Sequence, residues 1–220
     1  MMLDRCRLSL QLQDVFRLHP VPLARCCKRH QLIDCAVNSA MEQHSAMLHL
    51  VSSGHTGAAA SALRCLLETT LIAYWLGYCA SDATVKALQP DHANMAGVGD
   101  FPELTVMLKA VTAYYPALSD ISAGLKAEDG RARWLHKVAH SGMWHLLRRP
   151  FIQPWRDDEV CIWLDMVDAL AAGAGWLQAM AANQPVIAAH RLNGAGHLAG
   201  YLDQVRPPPG LGCCGSDPVY

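Results

Sequence analysis

Apolar residues recur at helical spacing along most of the chain, and the elements they predict are all helices. The two longest patterns in the first half cover residues 31–53 and 57–80, with Gly54 between them. In both, the apolar positions fall three or four residues apart, as in a helix with one face in a core. Because the connection is short, the pattern predicts two antiparallel neighbouring helices.

The rest of the chain continues this pattern. Ser81 and Asp82 predict the cap of a short helix, since their side chains can accept bonds from backbone N–H groups of the first turn. The sequence contains no series of strands and no internal repeat. The prediction is an all-α bundle of four to five long helices. Its later helices are expected at residues 101–115, 131–148 and 157–182, with a weaker, glycine-interrupted one at 186–200.

The two ends of the chain differ from its centre. The first 30 residues form an N-terminal extension, in which spaced apolar residues indicate only a short helix. The last 20 residues are rich in proline and glycine, which favours a flexible tail. The predicted organisation is therefore an extension at 1–30, a helical bundle domain at 31–200 and a tail at 201–220.

Composition narrows the class of protein. The chain has 220 residues, is 52% hydrophobic and 17% charged, and has a net charge of −1. This composition excludes disorder of the whole chain. The small net charge also argues against a basic surface that wraps a long nucleic acid, although it is compatible with a local pocket for one phosphate.

The cysteines and the apolar stretches bear on location. The chain contains nine cysteines, an odd number, and no CxxC pair. Its N-terminus lacks the apolar region of a secretory signal. We therefore expect free thiols in a reducing cytoplasm. The apolar stretches 57–80 and 160–182 contain charged residues, which favours buried helices over membrane spans.

Candidate chemistry is concentrated in the helix predicted at 131–148. Arg133 and His140 are seven residues apart, so they differ by about 20° around the helix axis. His136 lies one turn before His140 and shares its face. A solvated helix face normally carries Glu and Lys, whereas this stripe carries Arg, His and Trp. We interpret it as one wall of a site.

Arg64 and Glu68 are a second candidate pair. They are four residues apart on a face that continues as Ile72 and Trp75, so the charges should be partly buried. Two interpretations remain open. The pair could be a structural ion pair that fixes the bundle register, or it could line a site in which Glu68 orients a histidine.

Charged stripes on two helices lower their desolvation cost by meeting each other. We therefore predict that Glu68 lies within hydrogen-bond reach of His136 or His140. Arg64 or Arg133 should border the same cavity.

These residues are compatible with two kinds of chemistry. His136, His140 and Glu68 form a ligand set that zinc accepts, although the chain lacks the Glu-x-x-His pairs of di-iron bundles. Alternatively, histidine supplies acid–base catalysis near neutral pH, and arginine binds phosphate. Cleavage of RNA through the 2′-OH needs a base, an acid and a cation for the developing negative charge, and no metal or other cofactor.

The spacings Arg131-x4-His136 and Arg133-x6-His140 resemble the Arg-x(4–6)-His signature of the HEPN superfamily. Its members are small all-α domains, many of them metal-independent ribonucleases of toxin–antitoxin and phage-defence systems. The resemblance implies a homodimer with RNA as substrate, and an antitoxin as a further partner. It also implies that His140 is the catalytic acid or base and Arg133 the phosphate ligand, with Arg131 and His136 as the competing pair.

A second resemblance, to a group of uncharacterised bacterial helical proteins, covers roughly residues 30–180. It lies in Leu63-Arg64-x-Leu66-x-Glu68 with Trp75-Leu76, and in Trp134-Leu135-His136-x3-His140-Ser141-Gly142. It brings no activity, but it implies that Arg64, Glu68, His136 and His140 form one site.

The residues leave three classes of function open. The first is a HEPN-like ribonuclease or a degenerate relative of one. The alternatives are a non-catalytic helical binding or dimerisation module and a metal-dependent helical-bundle enzyme that uses His136, His140 and Glu68.

Overall fold

A computed structural model of the chain describes residues 2–21, 27–88, 101–114 and 155–196. Within these ranges the chain is helical and contains no strand, which confirms the all-α prediction. The helix predicted at 131–148 and the tail at 201–220 lie outside the described residues. The seven described helices are α1 (Met2–Leu18), α2 (Lys28–Ser52), α3 (Thr56–Tyr78), α4 (Asp82–Ala87), α5 (Leu104–Tyr114), α6 (Asp157–Ala181) and α7 (Pro185–Gly194).

Helices α2 and α3 form the predicted antiparallel hairpin. Gly54 adopts a φ of +79° in the turn between them, a conformation that costs glycine little. At the other end of the hairpin, Arg29 in the first turn of α2 donates to the carbonyl of Leu76 near the end of α3. Arg29 also donates to Asp82 at 2.7 Å, which ties α4 to the same end. The hairpin prediction is therefore confirmed.

Helix α6 is the centre of the bundle, where it contacts α1, α2, α3 and α7. Its first turn carries Asp157, Asp158 and Glu159, which interact favourably with the positive end of the helix dipole. Among the described residues it is the one helix long and apolar enough to cross a membrane. However, 78% of its most apolar window is buried inside the bundle. Contact with helices on several sides explains why its sequence is apolar almost all round.

Three further helices pack against the hairpin and α6. Helix α1 has 17 residues, so it is longer than the short helix predicted for the N-terminal extension, and it packs along α6 and α7. Helix α7 ends at Gly194, before the limit predicted from the sequence. Helix α5 packs on α3, where the rings of Tyr78 and Tyr114 stack at 5.2 Å.

Candidate functional site

Four of the six predicted site residues, Arg131, Arg133, His136 and His140, lie outside the described residues. Their approach to Glu68 therefore stays a prediction. Arg64 and Glu68 lie in the described part of the chain, in the middle of α3.

Arg64 and Glu68 form an ion pair on α3. Arg64 Nε donates to Glu68 Oε1 at 2.7 Å, and the two side chains are 31% and 34% exposed. Leu63 and Leu67, which flank the pair, are buried. The pair is thus partly buried, as its position in an apolar face indicated. Ion pairs of this exposure contribute little to stability.

A second and more deeply buried cluster of charges joins α1 to α6. Arg5 Nε donates to Asp165 Oδ1 at 2.5 Å, and Arg5 Nη2 lies 2.9 Å from Asp168 Oδ2. Ser9 Oγ donates to the same Asp168 oxygen at 2.8 Å and receives a bond from Arg5 Nη1, also at 2.8 Å. Asp168 is fully buried, and Arg5 is 8% exposed. Burial of these charges is tolerable because each is paired and hydrogen-bonded.

His44 of α2 completes this cluster. Its Nε2 lies 2.7 Å from Asp168 Oδ1, and its Nδ1 lies 3.4 Å from the amide nitrogen of Gln13. That amide nitrogen also donates to Ser45 Oγ at 2.8 Å. The arrangement corresponds to an imidazole that donates from Nε2 to the carboxylate and accepts at Nδ1. One carboxylate therefore connects α1, α2 and α6.

The cluster contains the residue types of a hydrolase triad, but its geometry differs from one. A nucleophilic serine must pass its proton to a histidine, whereas Ser9 and His44 each bond to a different oxygen of Asp168. Ser9, His44 and Asp168 are all fully buried, so a substrate has no route to them. This cluster holds three helices together.

The sequence does not predict this cluster, for a physical reason. Asp168 is separated from Ser9 by 159 positions and from His44 by 124, so the contact cannot be predicted from the spacing of nearby residues. The available signals were His44 on an apolar stripe and two aspartates in an otherwise apolar helix. A charge in such a helix predicts a buried partner but does not identify it.

Arg191 of α7 anchors the other end of α1. Its guanidinium donates to the carbonyl of Gly175, to Gln178 Oε1 and to the carbonyl of His19, at 2.9, 2.9 and 3.0 Å. Its Cζ lies 5.3 Å from the ring centre of Phe16. Burial lowers the pKa of Arg191 to about 10, and Asp34 opposes this shift. The carbonyl of His19 lies just past the end of α1, where a cation is favoured by the helix dipole.

The described residues bear on metal and thiol chemistry as well. In residues 2–21, 27–88, 101–114 and 155–196, no group of three or more His, Cys, Asp or Glu side chains could hold a metal ion. Of the predicted zinc ligands only Glu68 is described, and one of its oxygens is bonded to Arg64.

The six described cysteines are free thiols. Burial raises the pKa of Cys6 and Cys79, which makes these two thiols less reactive at neutral pH.

Comparison with known proteins places the chain in a family without assigning an activity. No curated protein and no solved structure matches the sequence. A family model described as a family of unknown function (DUF6988) matches residues 37–196, which include α3, α6, α7 and most of α2. Since this match covers more than half of the chain, the protein belongs to the DUF6988 family of unknown function.

Proposed function

We propose that the protein is a metal-independent ribonuclease of the HEPN type. The observation that carries the proposal is the partly exposed Arg64–Glu68 pair, which the buried Leu63 and Leu67 flank on α3. It is taken together with the Arg133-x6-His140 spacing in the sequence. An all-α bundle is compatible with a late helix that presents Arg133 and His140 to Glu68.

The chemistry follows from the properties of these side chains. His140 takes the proton from the 2′-OH of RNA, and this oxygen attacks the adjacent phosphorus. The P–O5′ bond breaks, and the leaving 5′-oxygen takes a proton from solvent, so that a 2′,3′-cyclic phosphate and a 5′-hydroxyl are formed. Arg133 neutralises the charge that develops on the phosphate oxygens. Glu68 Oε1 is bonded to Arg64, while its other oxygen, Oε2, can accept from an imidazole and fix its tautomer. Arg131 and His136 are the second pair that could carry out these steps.

The biological setting is part of the same proposal. The active unit is a homodimer, its substrate is RNA, and an antitoxin protein restrains it in the bacterial cytoplasm.

The test is incubation of purified protein with RNA in the presence of EDTA. We expect cleavage that leaves a 2′,3′-cyclic phosphate, and we expect its loss in His140→Ala and Arg133→Ala. The matched control is His49→Ala, because His49 is an exposed histidine of α2. If none of these proteins cleaves RNA, the alternative of a binding or dimerisation module stands. Cleavage only after addition of a divalent metal would instead support the metal-dependent enzyme.

Glu68→Gln separates a role in the site from a role in stability. With both partners about one-third exposed, loss of the Arg64 ion pair should lower the free energy of unfolding by less than about 1 kcal/mol. A drop in cleavage rate at unchanged stability supports the site. A loss of about 3 kcal/mol without any effect on cleavage would show that the pair is structural.

A further inference from the structure

Two histidine side chains meet where the end of α1 packs against α7. The ring centres of His19 and His190 lie 4.9 Å apart, and the ring planes differ by 4°. His19 directly follows α1, and His190 lies in the second half of α7. Four positions away on both segments, a Cβ atom on Gly194 would lie 2.7 Å from Cγ2 of Val15. The two helices are therefore antiparallel and in close contact beside the histidine pair.

The backbone of His19 is held against the helix that carries His190. Arg191 Nη2 donates to the carbonyl of His19 at 3.0 Å, and the N–H of His19 donates to the carbonyl of Val15 at 3.1 Å. Arg191 is itself fixed, because its Nη1 donates to the carbonyl of Gly175 on α6. Packing and hydrogen bonds between backbone and guanidinium thus set the separation of the two histidines, which is the condition for a preorganised site.

Both imidazole rings are available to a ligand. In the part of the chain that the structure describes, neither ring has a hydrogen bond or an ion pair, whereas Nε2 of His44 is committed to Asp168. His190 is exposed and His19 is half-buried, so solvent reaches the pair. Neutral imidazole is the side chain that most often binds transition metals in proteins.

The charges beside the pair are compatible with a bound cation. The guanidinium of Arg191 shares its positive charge with three oxygen atoms, those of His19, Gly175 and Gln178. Asp34 lies close enough for its negative charge to act on Arg191. The last carbonyls of α1 add the negative end of a helix dipole on the side of His19.

We propose that His19 and His190 together bind a Zn²⁺ ion, which joins the end of α1 to α7. Zinc accepts imidazole nitrogens at about 2.0 Å, in the plane of the ring, and water completes its coordination. Because the rings are stacked, the exposed His190 ring turns about its Cβ–Cγ bond to direct a nitrogen at the ion. The proposal does not depend on ribonuclease activity, since zinc binding is measured without RNA.

The first test is site-specific labelling of histidines in the full-length protein without an affinity tag. Diethyl pyrocarbonate modifies accessible imidazole nitrogens, and peptide mass spectrometry locates the modified residues. We expect added Zn²⁺ to reduce labelling of His19 and His190 several-fold. His49 and His55 are exposed controls whose labelling should not change. Unchanged labelling of His190 over a full zinc titration would overturn the proposal.

The second test measures the stability that zinc adds. An ion that binds the folded state raises the thermal midpoint, and the rise grows with its concentration. We expect a larger rise in the wild-type protein than in His19→Gln or His190→Gln, which keep a polar side chain but lack the imidazole. His49→Gln is the matched control and should behave as wild type.

The comparison also separates the histidine pair from the thiols. Zinc that binds cysteines contributes equally in all four proteins, so the difference between wild type and His190→Gln belongs to the pair. Since His190 is exposed, its replacement should leave the helical signal in circular dichroism unchanged. Equal rises in wild type and His190→Gln would reject the zinc site.

Discussion

At the scale of single residues, Asp168 is the position at which side chains of three helices meet. Its two carboxylate oxygens contact Arg5 and Ser9 of α1 and His44 of α2, at distances of 2.7 to 2.9 Å. Without the carboxylate, Arg5 keeps Asp165 as its one carboxylate partner in the cluster, and His44 loses its acceptor. A buried donor that has lost its acceptor, or a buried guanidinium that has lost one of its two carboxylates, costs far more than the original contact contributed.

We expect Asp168→Ala to lower the free energy of unfolding by about 3 kcal/mol or more, measured by urea denaturation. The control is Asp14→Ala, since the Asp14–Arg17 pair is exposed, with side-chain exposures of 57% and 84%. That variant should change stability by no more than about 0.5 kcal/mol. Equal effects for the two variants would show that the cluster does not anchor the three helices.

His30 gives the stability of the protein a predictable dependence on pH. Burial lowers its pKa, Arg29 lowers it further, and Asp34 opposes both. In the unfolded chain a histidine takes up a proton below about pH 6.5, whereas folded His30 resists protonation until a lower pH. The unfolded state then binds more protons, so the free energy of unfolding falls as the pH drops from 7 towards 5.

The variant His30→Gln should remove this part of the pH dependence, which amounts to at most about 1.4 kcal/mol per pH unit. His49→Gln removes an exposed histidine from the same helix and should keep the wild-type slope. Urea unfolding at several pH values between 5 and 7.5 measures both slopes. A wild-type slope in His30→Gln would contradict the assignment.

At the scale of helices, the sequence predicted what depends on neighbours in the chain. The hairpin, the cap at Ser81 and the Arg64–Glu68 pair follow from local spacing, and all three are present. The length of α1 was underestimated because its attachment uses Arg5 and Ser9 as well as apolar residues. Those polar residues are buried only because Asp165 and Asp168, some 160 positions later, face them. Periodicity cannot reveal a contact of that kind.

Gly54 offers a test of the hairpin turn. Its φ of +79° lies in the left-handed region, so Gly54→Ala should lower the free energy of unfolding by about 1 kcal/mol through backbone strain. The matched control is Gly196→Ala: a Cβ would meet nothing within 4 Å at either glycine, but only Gly54 has a positive φ. Urea denaturation compares them. If Gly54→Ala is as stable as Gly196→Ala, the turn does not require glycine.

At the scale of the molecule, α6 links the described helices into one unit. It packs against α1, α2, α3 and α7, and α5 joins through its contact with α3. None of these neighbours can leave without exposing part of the most buried helix in the bundle. Cooperative unfolding is the physical consequence, since partial loss of the core exposes apolar surface and leaves Asp168 without partners.

We therefore expect unfolding to be a single transition. Three of the six tryptophans, Trp75 of α3 and Trp163 and Trp176 of α6, are buried, so part of the tryptophan fluorescence reports on the centre of the bundle. Far-ultraviolet circular dichroism reports on all helices. The two signals should give the same midpoint in urea. In Asp168→Ala both midpoints should fall together, because the cluster lies between three helices. If fluorescence changes while most of the helical signal remains, α6 is not the common core, and the helices unfold as separate units.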